Sequence, residues 1–591
     1  MTPDTAHLTP DLLERSQRHL LAKALGELAH ERLVSPEPAG RGRWRVTSPD
    51  GGTVHEFTAR RFPLDHWLVD PATVERRVKD EPAPPEVQAF VAAHSAALGI
   101  PDALLPAYLE ELASTLASGM WKRRHSVASA ATLAGADHQT VESGMTEGHP
   151  AFLANNGRIG LDLGDYTAYA PEAGPSVRLL WLAARRSRTH LALGAGLTEE
   201  SLYAGELDAG QRAAFDDTLR ERGLDPADYL LLPVHPWQFR HHVAVTFAPD
   251  VARGDLVPLG ETTDDYRPQQ SIRTFANTSR PDRHYVKTAL AIQNMGFVRG
   301  LSPAYMEATP AINDWVAALV ERDETLRACG FSVLRERAAI GYTGDAYHAL
   351  DVPSPYRKML AALWREPPAP RVGDGERLMT MAALLHRDAD GVSLVSQLVE
   401  RSGLAPVTWV RGYLRAYVRP IVHCLLAHDL AFMPHGENLV LVLRDDAVAR
   451  VVMKDIGEEV CVMSAARPVP ADVERVRQEI EPDVRALALH TDVFDGVLRF
   501  LAAILDQDGL LDAQSFWEEV AAVVEQHRSD HPELAEAASA YDLQRAEFRH
   551  SCLNRLQLRN TRQMVDLSDQ AESLMYAGTL TNPIARATVD P

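Results

Sequence analysis

The segment from Met433 to Glu459 holds the densest group of side chains that could bind a metal ion and phosphate. In order it contains His435-Gly-Glu437-Asn438, an apolar run at 439–443, a short acidic turn, a second apolar run at 448–453, and Lys454-Asp455-Ile-Gly-Glu458-Glu459. Two apolar runs around a short polar turn predict a β-hairpin. Closing that hairpin brings the polar residues before the first run next to Asp455. Mg²⁺ prefers such oxygen ligands together with phosphate oxygens. The alternative is an edge hairpin with polar ends at the surface.

A second predicted hairpin carries cations. Its first strand is Gln269–Phe275, with Ser271, Arg273 and Thr274, its turn is at 277–283, and its return strand, 284–292, carries Lys287. Alternation along a strand puts Ser271 and Arg273 on one face. Arg299 follows soon after the return strand. Guanidinium and ammonium groups among hydroxyls suit a triphosphate or a carboxylate. The alternative is a set of ordinary surface cations.

Two histidine motifs allow weaker inferences. Glu147-Gly-His149-Pro150 is a tight loop that could fix an imidazole, and Arg158 is a candidate anion anchor, although the segment fits a structural turn equally well. His235-Pro-Trp-Gln238 is followed by His241 and His242, which no carboxylate or thiolate accompanies at ligand spacing, so we do not predict a metal there. His423 and His428 are predicted to lie on a helix face.

Composition limits the classes of protein to which this chain can belong. Its 591 residues suggest about three to four domains. The net charge is −21 and no basic run is present, which argues against nucleic acid as a partner. The four cysteines are far apart, the N-terminus lacks the order of a signal peptide, and no apolar stretch approaches the ~18 residues of a membrane helix. We therefore expect a cytoplasmic protein without a membrane partner.

The helices and strands that must position these residues are predicted from the spacing of apolar residues and from helix-breaking segments. Leucines at helical spacing predict a helix over Pro10–Arg32, and Gly51–Phe62 predicts short strands. The proline-rich segment 81–85 is a candidate linker before helices that extend to about 133. Residues 140–310 mix strands and turns, whereas helices dominate from 371 to about 430 and in the last hundred residues. The chain is predicted to be an α+β multidomain protein.

Together the motifs resemble the IucA/IucC family of NRPS-independent siderophore synthetases. The series that carries the resemblance is Glu147-Gly-His-Pro150, His235-Pro-Trp-Gln238, Ser271-x-Arg-Thr274, Lys287, Arg299, His435-Gly-Glu-Asn438 and Lys454-Asp455. Each motif alone is weak, but the ordered set is specific and covers roughly residues 140 to 460. The segments at 294–302 and 433–438 are most similar to the branch that contains desferrioxamine synthetases.

The resemblance implies a fold and a reaction. The fold is a cupped hand with a thumb at 1–140, fingers at 141–370 and a palm at 371–591 that is distantly kinase-like, usually in a homodimer. A substrate carboxylate attacks the α-phosphate of ATP, giving an acyl-adenylate and pyrophosphate, and an amine or hydroxylamine then displaces AMP. In this branch the acid is typically an N-hydroxy-N-succinyl diamine, which can be oligomerised and closed into a ring.

The resemblance also implies a role for each motif residue. The ATP phosphates are expected to be held by Ser271, Arg273, Thr274 and Lys287. The nucleotide is also expected to be bound by Glu437, Asn438 and Asp455. Asn438, Asp455 and Glu458 are the expected Mg²⁺ ligands. Arg299, His435 and Lys287 are the expected catalytic residues. The substrate contacts are expected from His149, Arg158, Arg299 and His435.

Some positions depart from the family pattern. Many members have a second histidine and a lysine where this chain has Phe152 and Asn156, and many have glutamate and glutamine where it has Met433 and Glu437. Fewer cations argue against citrate as the substrate. An aminoglycoside-kinase-like phosphotransferase is the first rival, although that class needs an Asp directly after His-Gly. A non-enzymatic metal-binding module is the second.

Overall fold

The computed structural model describes residues 5–126, 128–350, 352, 354–464, 467–481, 484–559 and 575–586. The protein has an α+β multidomain fold in which several sheets alternate with groups of helices. Among the described residues, no helix is both long enough and apolar enough to span a membrane.

The strands are mostly short. They are β1 Glu37–Gly40, β2 Arg43–Thr47, β3 Thr53–Phe62, β4 His66–Val69, β5 Glu75–Val78, β6 Glu81–Ala83, β7 Leu180–Arg185, β8 Thr189–Leu193, β9 Tyr229–Val234, β10 Leu256–Glu261, β11 Tyr266–Pro268, β12 Thr274–Asn277, β13 Tyr285–Thr288, β14 Leu290–Asn294, β15 Phe297–Arg299, β16 Ser332–Val333, β17 Glu336–Tyr342, β18 Ala361–Arg365, β19 Glu376–Thr380, β20 Leu430–Ala431, β21 Leu439–Arg444, β22 Ala447–Met453, β23 Cys461–Val462, β24 Glu547–Ser551 and β25 Tyr576–Thr581.

The α-helices range from single turns to more than twenty residues. They are α1 Pro10–His30, α2 Val87–His94, α3 Leu105–His125, α4 Ala130–Ala134, α5 His138–Gly144, α6 Leu163–Tyr169, α7 Glu199–Glu206, α8 Ala209–Glu221, α9 Pro236–Gln238, α10 Ala244–Thr246, α11 Ala248–Ala252, α12 Pro303–Arg322, α13 Glu324–Ala328, α14 Leu394–Ser402, α15 Pro406–His428, α16 Ile456–Glu459, α17 Arg499–Gln507, α18 Ala513–Asp530, α19 Ala535–Tyr541 and α20 Leu553–Arg559. A π-helix at Ala488–Leu498 precedes α17.

Two sheets matter for the site. The first has six strands in the order β11-β12-β13-β18-β17-β8, and the second has four in the order β16-β22-β21-β19. The β21–β22 hairpin of the second sheet is the one that the sequence predicted, and its open end begins with Leu439 opposite Met453. A six-stranded sheet at 37–83 and a three-stranded sheet, β10-β7-β9, lie elsewhere in the chain.

The core consists of three large apolar clusters. One joins α1, α3 and the N-terminal sheet, with Leu25 and Phe57 fully buried. The second fills the space around β7, β9, β13 and β18, with Trp181 and Trp364 at its centre. The third surrounds α15 and also includes residues 133–145 and 312–333. The predicted domain bounds at 140 and 370 stay a prediction.

The structure corrects three local predictions. The segment Glu81–Ala83 is strand β6 at the edge of the N-terminal sheet rather than a linker. Ser271 and Arg273 lie in a turn before β12, since Ile272 has a φ of 65°. The last hundred residues contain the β24–β25 hairpin as well as helices. The Pro10–Arg32 helix is confirmed as α1, which Thr9 caps by accepting a hydrogen bond from Leu12 N.

Candidate active site

The six-stranded sheet presents two cations on one face. Thr274 of β12 lies directly opposite Lys287 of β13, and Tyr285 lies opposite Arg365 of β18. Residues opposite each other on neighbouring strands share a face, and so do residues two apart on one strand. The sheet register therefore places the side chains of Thr274, Lys287 and Arg365 on the same side.

Asp455 connects that face to the hairpin of the other sheet. Lys287 Nζ lies 2.6 Å from Asp455 Oδ1, and Arg365 Nη1 lies 2.6 Å from Oδ2. All three side chains are at least 90% buried. Burial alone would raise the pKa of Asp455, but Lys287 and Arg365 hold it well below its ordinary value. Burial would lower the pKa of Lys287, whereas Asp455 and Glu458 raise it above its ordinary value.

Closure of the hairpin assembles the polar residues around Asp455, as predicted from the sequence. Lys454 N donates to Asn438 O at 3.0 Å, which closes the open end. Lys454 Nζ pairs with Glu437, and Asn438 Nδ2 donates to Glu459 and to Met433 O. Asp455 itself has a left-handed φ of 59° at the start of α16. A non-glycine residue in that conformation carries strain of order 1 kcal/mol or more, and such strain is common at functional sites.

Several carboxylates gather at this end of the hairpin. Glu458 Oε2 lies 3.4 Å from Lys287 Nζ. Burial and then repulsion from Asp455 raise the pKa of Glu459 well above its ordinary value. The Asn438 amide donates through its nitrogen, so its oxygen is left as an acceptor. Oxygen donors of this kind are the ligands that Mg²⁺ prefers, and in this structure both oxygens of Asp455 are paired with cations.

Arg299 has no acidic partner within 4 Å among the described residues. Its Nη2 donates to Asn294 O at 3.1 Å, and its buried Nε has no hydrogen-bond partner. Burial and the neighbouring Arg273 lower the pKa of Arg299 to about 10, although Glu437 opposes the shift. Arg273 in turn donates to Gly300 O. The two guanidinium groups thus form a positive region with too few anions around it.

The predicted Gly-His-Pro loop lies beside the hairpin. The rings of His149 and His435 are 6.0 Å apart, and Phe152 packs against His149 with ring centroids 5.0 Å apart. Burial lowers the pKa of both histidines, and Glu437 only partly opposes this at His435. Both imidazoles are therefore neutral at neutral pH.

Both ends of the chain hold this loop in place. Lys23 of α1 donates to His149 O at 3.1 Å. Asn554 of α20 accepts from Leu153 N at 2.8 Å and donates to Ala151 O at 2.9 Å. Glu31 in turn accepts from Asn554 Nδ2 at 2.8 Å. The loop is therefore fixed between α1 and α20, the first and last α-helices of the described chain.

Arg158 and Ser271 differ in whether their polar groups already have a partner. Arg158 is buried and pairs with Glu172, with Nη2 3.0 Å from Oε2. The Ser271 hydroxyl oxygen is buried and has no partner among the described residues. A partnerless buried hydroxyl at this position fits a ligand contact, whereas the charge of Arg158 is already neutralised.

Sequence reasoning missed two residues of the site. Arg365 ends the strand Ala361–Arg365, whose residues are all buried, and a charged residue inside such a strand was the available signal. Glu336 is 1% exposed and accepts from Gly457 N and Asn313 Nδ2, each at 3.0 Å. Glu336 thereby fixes the start of α16, which carries Glu458 and Glu459.

Comparisons with known proteins find relatives along nearly the whole chain. The IucA / IucC family model matches residues 137–386, and a model described as "Ferric iron reductase FhuF-like transporter" matches residues 407–566. The chain is 44% identical over 585 residues to putrebactin synthase of Shewanella sp. (strain MR-4), covering 98% of this chain and 92% of that protein. It is 31% identical over 555 residues to the rhizobactin siderophore biosynthesis protein RhbF of Rhizobium meliloti (strain 1021), covering 93% and 92%.

A solved structure shows the same fold over the whole length. Aerobactin synthetase IucC from a hypervirulent pathotype of Klebsiella pneumoniae superposes with a TM-score of 0.85 at 29% identity, covering 98% of this chain and 99% of that one. The relatives at 44% and 31% identity each align with more than nine tenths of this chain. The chain belongs to the IucA/IucC family of siderophore synthetases and is an ATP-dependent, amide-forming ligase.

Proposed function

We propose that this enzyme uses ATP to adenylate a carboxylate and then joins the acyl group to an amine. The carboxylate oxygen bonds to the α-phosphorus of ATP, and the bond to the β-phosphate bridging oxygen breaks to release pyrophosphate. The amine nitrogen then bonds to the acyl carbon, loses a proton and expels AMP. The observation that carries the proposal is the convergence of Lys287, Arg365 and Arg299 on the acidic end of the β21–β22 hairpin.

The phosphate site is assigned to the turn before β12 and to the strands beside it. Ser271, Arg273 and Thr274 contact the phosphates, and Lys287 contributes a buried charge. Support comes from the partnerless hydroxyl of Ser271 and the crowded charges of Arg273 and Arg299. Negative charge that develops at the α-phosphate in the transition state is stabilised most by cations already held in place.

Mg²⁺ would be held by Asn438, Asp455 and Glu458, with Glu459 beside them. The ion neutralises phosphate charge when it is bound. Glu437 holds Lys454 at the open end of the hairpin, where both face the nucleotide. The structure of the acidic cluster supports this assignment because its carboxylates crowd one another.

The acyl side of the site is assigned to Arg299, His435 and the His149 loop. The carboxylate of the acyl donor pairs with Arg299, the cation that lacks an acid. His435 lies between the loop and the hairpin and contacts the same region. Arg158 contributes indirectly, since its pair with Glu172 holds the backbone next to the loop.

We propose an N-hydroxy-N-succinyl diamine, such as N-hydroxy-N-succinylcadaverine, as the acyl donor. The loop around His149 carries the apolar Phe152 and the neutral Asn156, both buried, and the two imidazoles are neutral. Binding of a trianionic acid such as citrate would require more positive charge around this loop. A substrate with a carboxylate at one end and an amine at the other can join head to tail and close into a desferrioxamine-type hydroxamate ring.

The test is an analysis of nucleotide products with ATP, Mg²⁺ and N-hydroxy-N-succinylcadaverine. AMP and pyrophosphate that depend on the acid, with a mass for joined units, support both the reaction and the substrate. ADP as product would favour the kinase-like phosphotransferase. If citrate with a panel of amines gives AMP and the succinyl compound does not, the reaction stands and the substrate proposal fails.

We also propose a homodimer in the cytoplasm. The family resemblance supports the dimer, and the need for ATP supports the compartment. Size-exclusion chromatography with light scattering should give twice the chain mass of 65.1 kDa. A mass equal to one chain at micromolar concentration would exclude the dimer.

A further inference from the structure

Three histidines meet far from the active site, at one end of the core around α15. His423 lies on α15, His527 lies on α18 and His531 follows the end of α18. One ring nitrogen from each lies within 4.8 Å of the other two. The helices α15 and α18 pack against each other over much of their length, so this meeting point is fixed by the core.

The spacing of the nitrogens matches a metal site. His423 Nδ1 lies 3.1 Å from His527 Nε2. Two nitrogens bound tetrahedrally to zinc at roughly 2.0–2.1 Å are about 3.3 Å apart. Thr325 Oγ1 lies 3.3 Å from His531 Nε2 and faces the same region. The three imidazoles can therefore surround one ion without a large movement of the backbone.

Carboxylates hold the opposite ring nitrogens of two of these histidines. His423 Nε2 lies 3.0 Å from Asp323 Oδ2, and His428 Nε2 lies 2.9 Å from the same oxygen. His531 Nδ1 lies 2.8 Å from Glu533 Oε1. A carboxylate that accepts one N–H of an imidazole leaves the other nitrogen with a lone pair, and metal-binding histidines commonly have such a partner.

The surroundings admit an ion and do not repel it. The side chains of His531 and Asp323 are each 14% exposed, which gives an entry path from solvent. The charge of Arg419 acts on His527, but its guanidinium is paired with Asp530 at 2.7 Å. Imidazole ligands suit zinc and other divalent first-row transition metals rather than Mg²⁺ or Ca²⁺.

We propose that His423, His527 and His531 bind one divalent first-row transition-metal ion, with Asp323 and Glu533 orienting the rings. Asp323 follows α12, whose 20 residues run for roughly 30 Å from a start just after Arg299. The site is therefore distinct from the one that takes ATP. The ion links α15 to the end of α18 and to the loop that begins α13, so it stabilises the core around α15.

The experiment uses the full chain without a polyhistidine tag, freed of metal with a chelator. Zinc is titrated by calorimetry, and cobalt is followed by the visible absorption of a four-coordinate ion. One equivalent is expected to bind at micromolar concentration or tighter. His531→Gln and His527→Gln should each weaken binding at least tenfold. Asp323→Asn, which retains a good helix cap, should weaken it about 10- to 100-fold.

The matched control is His125→Gln, an exposed histidine on α3, which should bind zinc as the parent does. Zinc should also raise the melting temperature of the parent and of the control but not of His531→Gln. If His527→Gln does not fold, His531→Gln, whose side chain is partly exposed, decides the result. The proposal is overturned if the parent binds no stoichiometric metal, or if His531→Gln and Asp323→Asn bind it as the parent does.

Discussion

Replacing Arg299 by methionine should remove activity without destabilising the protein. Most buried cations in this site have an acidic partner, as Arg365 has in Asp455 at 2.6 Å. Among the described residues, Arg299 donates only to the Asn294 carbonyl, and its buried Nε has no partner there. Methionine keeps most of the apolar stem and removes the charge, so the folded state loses an unfavourable group rather than a favourable pair.

The magnitude follows from the electrostatics of the site. A fall in the pKa of Arg299 from 12.5 to about 10 corresponds to about 3 kcal/mol against the charged form. The side chain is partly exposed, so water screens part of this, and about 1–2 kcal/mol remains. The free energy of unfolding of the Arg299→Met variant should thus equal that of the parent or exceed it by up to about 2 kcal/mol. Its kcat/KM should fall by about 10²- to 10³-fold, as when one transition-state contact is lost.

Arg365→Met is the matched comparison, because the same substitution at this position removes one of the cations that pair with Asp455. Breaking a buried pair costs about 3–5 kcal/mol, and Lys287, which keeps the other oxygen of Asp455, should hold the loss near the lower end. Urea unfolding and AMP release would be measured on both variants. If Arg299→Met is destabilised as much as Arg365→Met, Arg299 has a structural partner and the reasoning fails. If the Arg299→Met variant forms AMP at a rate within threefold of the parent's, Arg299 is not a substrate contact.

Three further perturbations test other parts of the site and the core. Lys287→Met should lower AMP formation at least 10²-fold, while Lys79→Met, in an exposed turn, should not change it; equal activities would refute the phosphate assignment. In Gly148→Ala the added Cβ would lie 2.6 Å from Asn155 O, so the His149 loop must move, and kcat/KM should fall about tenfold or more. Burial raises the pKa of Asp492 to about 7, so the folded state keeps a proton that the unfolded chain releases, and stability falls as pH rises from about 4 to 7. Asp492→Asn should therefore stabilise the protein by about 2 kcal/mol at pH 8 and hardly at pH 4, and an equal effect at both values would contradict this.

Local pattern was enough to predict the hairpin end of the site. The runs at 439–443 and 448–453 are separated by only four residues, and the structure pairs Leu439 with Met453. Glu437 and Lys454 flank those runs, so their meeting followed from the hairpin alone. The pairing of β12 with β13 was also predicted, and the structure places Thr274 opposite Lys287. The predicted return strand 284–292 is wrong in its extent, because it is divided between β13 and β14, which belong to different sheets.

Contacts between segments far apart in the chain could not be predicted from the sequence alone. Lys287 and Asp455 are separated by 168 residues, and only the packing of one sheet on the other brings them to 2.6 Å. His423 was predicted to lie on a helix face, which is correct, but its contact with His527, 104 residues away, depends on how α15 and α18 pack. The strand prediction for Ser271 failed because period-2 alternation cannot detect the positive φ of Ile272.

The loop that carries His149 is held by α1 and α20, which are made before and after it during synthesis. Lys23 and Glu31 precede the loop in the chain, whereas Asn554, which bonds to the loop at Ala151 and Leu153, follows it by about 400 residues and is made later. A nascent chain lacks the contacts of Asn554 with Ala151 and Leu153 until α20 has been made. We therefore expect the loop that carries His149 to be fixed later than the β12–β13 hairpin, so a chain that ends before Asn554 should be impaired in amide formation.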